Sequence, residues 1–213
     1  MEKSMSGFWG YLYGAAFKPR STFDRLLKDP RRLVHGFKAV LLISALYTLT
    51  VVGLAITHAV PVVPPWVAIP AEDYYFWEIF FTLPVFVMAW ILAAGLVQLC
   101  GRVFNGEGTF EDTLAVLGFV LTVPMFVTWI PETVMTLLFL AGAITQRELL
   151  EMTSKPGALR VFASTYQLVA LVWYLILTTV AVGVVQKLRL RQAAVVAVLT
   201  VLTVGFIMLI FIR

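Results

Sequence analysis

The chain has 213 residues, of which 61% are hydrophobic and 13% charged. Its mean hydropathy is +0.92, so there is little room for a separate water-soluble domain beside a membrane one. The formal net charge of +4 is too modest to make a nucleic-acid surface, and the single cysteine, Cys100, excludes an internal disulfide and reads as a packing residue. The apolar runs are continuous rather than alternating. A hydrocarbon core about 30 Å thick needs about 20 apolar helical residues, and these must satisfy their own backbone polar groups. The expected class is all-α: a polytopic transmembrane helical bundle of about five spans, preceded by amphipathic interfacial helices.

Residues 1–36 read as a cytoplasmic amphipathic segment, and residues 37–213 as the transmembrane domain. The stretch from Phe8 to Phe17 lacks the leucine-rich core and small-residue cleavage site of a signal peptide, so the mature chain is expected to keep its N-terminus. Phe8, Leu12 and Ala16 share a helical face, with Trp9, Tyr13 and Phe17 beside them, a pattern suited either to the headgroup layer or to packing on the bundle. Pro19 opens a second short helix with Phe23, Leu26 and Leu27 on its apolar side. Asp29 and Pro30 read as N-cap and first residue of the next helix.

The spans are expected at about 37–57, 74–100, 113–142, 161–186 and 193–212. A proline-rich link with Pro61, Pro64, Pro65 and Pro70 joins the first two, and it contains no Lys or Arg. The aromatic run Tyr74–Trp77 opens the second span as an interfacial belt. A short glycine-containing link follows, and Thr109 with Asp112 marks the start of the third span. That span carries Pro124 and Pro131 and is long for one straight crossing. Thr145 and Glu148 cap a small amphipathic helix, Pro156 and Gly157 break it, and Lys187, Arg189 and Arg191 form a tight basic link before the last span, with Arg213 as terminal anchor.

Five crossings with the N-terminus in the cytoplasm and the C-terminus outside place 12 of the 16 basic residues inside, in keeping with the positive-inside rule. Splitting the third span at Pro131 gives six crossings and 13 of 16 inside, but leaves a second half of about 13 residues, short for a crossing. Five is the preferred reading. Ala89, Ala93 and Gly95 in the second span, and Thr179 and Gly183 in the fourth, mark expected positions of close helix packing.

No metal-ligand cluster, phosphate-binding loop or membrane Ser–His pair is visible, and His35 and His58 both fall outside the spans. The expectation is a protein with no enzymatic activity, no cofactor and no metal. Glu78 and Glu132 are the acids closest to the membrane core and form the one candidate polar site, where they could meet at similar depth. The competing reading makes both interfacial and wetted. Gln98, Gln167 and Gln186 read as interhelical hydrogen-bond partners or end caps.

From Gly106, Gly108, Thr109 and Phe110 through Leu114, Gly118 and Phe119 to Pro124, the chain resembles the Yip domain family, five-span proteins named for binding Ypt/Rab-type GTPases. Pro19 and Phe23 match the family's opening, and span order agrees over nearly the whole length. The aspartate-tyrosine-glycine signature of the eukaryotic branch's first span is absent, so Rab binding is not carried over. The resemblance implies a bacterial or archaeal member in the cytoplasmic membrane, acting as a scaffold or accessory subunit. Its partners would be membrane lipids and either a membrane-protein partner or a second copy of itself; a small transporter or channel subunit using Glu78 and Glu132 is the alternative.

Overall fold

The computed structural model describes residues 7–212, all of whose regular structure is helical. Two short helices, α1 (Phe8–Phe17) and α2 (Pro19–Leu26), precede α3 (Arg32–Ile56), α4 (Tyr74–Val103), α5 (Phe110–Leu140), the short α6 (Gln146–Ser154), α7 (Ala158–Val185) and α8 (Leu190–Phe211). Five of these, α3, α4, α5, α7 and α8, are long and apolar enough to cross a membrane. Arg213 lies outside the described residues, and so do residues 1–6 of the N-terminal segment.

Hydropathy explains why the helices form. In a bilayer each backbone N–H and C=O must be satisfied within the segment, and a helix does this locally. The observed ends fall within about five residues of the expected ones, inside or near ordinary boundary uncertainty. The third span is one continuous helix of 31 residues, roughly 46 Å at 1.5 Å per residue, longer than the hydrocarbon core. It passes through Pro124 and Pro131 without a break, so the chain makes no turn at Pro131.

α5 is the centre of the bundle. It packs mainly on α3 and α7 and also on α4, while α4 and α7 both contact α8. Its first half is buried nearly continuously from Thr113 to Pro124. Thr122 turns its hydroxyl onto the Gly118 carbonyl at 2.8 Å and Thr128 onto that of Met125 at 3.0 Å; such bonds keep polar side chains satisfied near the prolines.

The α3–α5 contact depends on glycines. A Cβ on Gly36 would sit 2.5 Å from the Ala115 carbonyl oxygen, and one on Gly118 would strike the Gly36 carbonyl. The two backbones touch, as small residues in membrane helices permit. The expected small-residue positions are only partly used this way. Ala89 and Ala93 are buried, but a Cβ on Gly95 would meet open space, and one on Gly183 only ordinary contacts at 3.8 Å.

The N-terminal helices are built into this bundle. Ala15, Phe23 and Leu26 are fully buried, α1 lies against α5, and α2 lies against α7. Helix α3 begins at Arg32 rather than at Pro30. Asp29 still caps, but it caps a turn: its carboxylate accepts the Arg31 N–H at 2.8 Å, and its carbonyl accepts that of Arg32 at 3.0 Å.

Candidate functional site: the glycine link and the Glu132 cavity

The residues that carry the family resemblance gather at one end of the bundle, where α3 and α5 begin and α4 and α7 end. There the Gln186 side chain is completely buried. Its Oε1 accepts the Gly108 N–H at 3.2 Å, and its Nε2 donates to Gln98 Oε1 at 3.1 Å and to Thr113 Oγ1 at 3.2 Å. Gln98 Nε2 donates to the Gly108 carbonyl at 2.9 Å, and the Gln186 carbonyl accepts the Glu107 N–H at 3.2 Å. Every hydrogen-bonding atom of the Gln186 amide is thus engaged, as a buried amide requires.

This knot explains the glycines. Neither Gly106 nor Gly108 has a left-handed φ; the left-handed residue of the link is Asn105, at +60°. The need is for space. A Cβ on Gly106 would lie 2.6 Å from Gln186 Oε1, and one on Gly108 2.5 Å from the Val185 carbonyl oxygen. Thr109 supplies the helix start, accepting the Asp112 N–H at 3.1 Å. Phe110 is partly exposed at the first position of α5.

Charged groups complete this end. Arg32 pairs with Asp112 at 2.5 Å and reaches Glu111 at 3.9 Å, tying the starts of α3 and α5. Lys187 bonds Glu107 across the link at 2.6 Å. That ammonium holds the Glu107 carboxyl below its ordinary value, and the carboxylate raises Lys187 in return. Asp29 accepts the Tyr11 hydroxyl at 2.9 Å and faces His35 at 3.5 Å. The Arg31 backbone N–H is the main reason the Asp29 carboxyl sits below its usual range, and burial is the main reason Tyr11 is raised. Arg25 lies over the Tyr11 ring at 5.3 Å.

Only one of the two acids lines the cavity between α3, α5 and α7. Glu78 is fully buried on the α4 face that also carries Tyr74, Thr82 and Val85. Glu132 is half-buried and lines a cavity of about 260 Å³ between α3, α5 and α7, with α6 at its mouth; Glu78 is not part of that lining. Facing Glu132 are Tyr47, whose hydroxyl also bonds Thr128 Oγ1 at 2.5 Å, and Tyr166. Gln146 straps the mouth to the proline-rich link through Val60, accepting its N–H at 3.0 Å and donating to its carbonyl at 2.5 Å.

Sequence reasoning pairs Gln98 and Gln186 with neighbouring helices but does not identify the glycine link as their common target. Gln167, at the other end, bonds only the adjacent Tyr166 hydroxyl at 3.3 Å. The contributions of Gly36, Arg32 and Tyr11 also go unread. The one signal for Gly36 and Arg32 is position, where an apolar segment meets a charged one; Tyr11 stands inside the apolar run 8–17 and carries none. Among the described residues no group of three or more His, Cys, Asp or Glu is arranged to hold a metal.

Comparison with curated proteins and with solved structures found no match. The model of the Yip1 domain matches residues 13–212, a range that runs from the second half of α1 to the end of α8 and takes in α2, the glycine link and Gly118. The chain is an integral membrane protein and belongs to the Yip1 domain family.

Proposed function

We infer that this protein is a non-enzymatic membrane scaffold or accessory subunit, with its N-terminus in the cytoplasm and its C-terminus outside. The observation that carries the reading is the form of α1. One face is pinned to the bundle by Tyr11 and Ala15, while Trp9, Tyr13 and Phe17 project from the other at 63–65% exposure. Successive residues in this row are four apart, so they stand as one ridge along a fixed helix. Arg20 and Lys18 lie exposed at its end. A rigid aromatic ridge with adjacent basic groups suits a headgroup layer or the flank of a membrane partner.

The absence of Glu78 from the lining of the Glu132 cavity weighs against a two-acid transport site. The polar groups at the other end are engaged with one another, which supports a structural role for the family residues. Complementation of a deletion strain tests the reading. The variant with Trp9, Tyr13 and Phe17 all changed to alanine is expected to insert normally yet fail to restore the wild-type phenotype. If instead Glu78→Gln and Glu132→Gln each reproduce the deletion while the aromatic variant complements, the scaffold reading gives way to transport. Reporter fusions at the two termini test the orientation, and same-side signals would overturn it.

A further inference from the structure

We propose that the Glu132 cavity is a binding site for a compact organic cation, an ammonium group carrying a small apolar substituent. The inference goes beyond the scaffold role and does not depend on it.

Chemistry at the wall selects the ligand. Among the described residues Glu132 is the only acid in the lining, and no Lys, Arg or His lines the cavity. An anion would face a carboxylate with no counter-charge. A neutral apolar molecule would leave that carboxylate desolvated, with the Tyr47 hydroxyl beside it but no counter-charge, which is costly for a group eight residues from the end of its helix, roughly 12 Å along the axis. A cation removes both objections.

The aromatic groups point the same way. Tyr47 and Tyr166 face the carboxylate, and Phe162 lines the same space. Aromatic side chains lining a cavity beside a single acid can attract alkylammonium ions through the ring quadrupole while accommodating their alkyl groups. A hydrated metal ion would want several oxygen ligands of fixed geometry, and the cavity offers one carboxylate among mostly apolar walls. At about 260 Å³ it falls just below the roughly 300–1,000 Å³ of ordinary small-molecule pockets, which limits the ligand to a compact one. Helix α6 lines one side through Gln146, Leu149, Leu150 and Thr153, held by its Thr145–Glu148 capping box and by the Gln146–Val60 bonds.

Titration of the full chain in dodecyl maltoside micelles with benzyltrimethylammonium tests this, with benzyl alcohol and benzoate as neutral and anionic controls. Saturable binding of the cation alone is expected. Glu132→Gln should weaken it at least about tenfold. Tyr166→Leu should weaken it about three- to tenfold, and Tyr166→Phe should restore it. Asp24→Asn, an exposed carboxyl on α2 at the far end, should change nothing. If Glu132→Gln does not fold, the Tyr166 pair carries the test. Displacement of the probe by dihexanoylphosphatidylcholine but not by choline assigns the cation to a lipid headgroup, and displacement by choline assigns it to a free amine; either supports the site. Absence of saturable binding to the wild type, equal binding of benzoate, or full binding by Glu132→Gln overturns it.

Discussion

The two ends of the bundle are held by different means. At the glycine-link end, backbone lies against backbone at Gly36 and Gly118, and a buried amide reads the link between α4 and α5. At the opposite end, side chains do the joining: Tyr47 with Thr128, Thr50 with Thr133 at 2.8 Å, and Gln146 with the Val60 backbone, around a cavity. Backbone contacts cannot yield without moving a helix, whereas side chains can rotate. The residues that mark the family concentrate where nothing can yield, and the proposed ligand site lies where something can.

The sharpest way to break this contrast is one substitution made at both ends of the same helix pair. Gly118→Ala puts a methyl into the Gly36 carbonyl, whereas Gly53→Ala meets the Thr136 methyl and the tip of Leu140. Overpacking of this kind costs typically 1–3 kcal/mol. Gly118→Ala should fall at or above about 3 kcal/mol and Gly53→Ala near or below about 1 kcal/mol. Unfolding midpoints in detergent measure both, and equal losses would remove the distinction.

Next in size is a pair of glutamines. Gln186→Leu strands the Gly108 N–H and half of the Gln98 amide in a buried place, and should cost about 1–3 kcal/mol. Gln146→Leu removes bonds at an exposed site, where water replaces them, and should cost less than about 1 kcal/mol. A larger loss for Gln146→Leu would mean that α6 matters more to the fold than the link does.

The smallest effect expected is that of Lys187→Met. Glu107 is lowered and Lys187 raised by their pairing. The carboxyl's contribution is present above its unfolded pKa and is lost as pH falls through its folded one. The ammonium's contribution is lost only as pH rises through its own raised value. Any difference between Lys187→Met and the wild type should therefore be flat across neutral pH and vanish in acid. Both groups are solvent-exposed, so the difference should sit near the detection limit. A shift comparable to that of Gln186→Leu would show that the ion pair, not the amide, secures the link.

The spans were legible because hydropathy is a property of local sequence, and all five appear within a few residues of their expected limits. The N-terminal helices were legible as amphipathic pieces, but not their destination. Whether Phe23 enters a bilayer surface or a groove beside α7 depends on a helix more than a hundred residues away. Gly95 and Gly36 look alike in sequence, one beside alanines and the other beside His35. Only the bundle decides that Gly36 bears the contact and Gly95 faces open space. The candidate acids show the same limit. Topology leads to an expectation of similar depth, but it cannot say that Glu78 is buried on the core face of α4 while Glu132 lines the cavity. Asp29 kept its capping chemistry and changed only its target, because the two residues after it form a turn before the helix begins.

The docking of α2 on α7 has a consequence for biosynthesis. Phe23 and Leu26 leave the ribosome more than a hundred residues before the helix against which α2 packs is made. At about 5–20 residues per second the delay is on the order of ten seconds. Through that interval the apolar side of α2 must be sheltered by lipid or by a helper protein. Helix α2 is thus made well before it can reach its final place, and a truncation before α7 would leave it exposed.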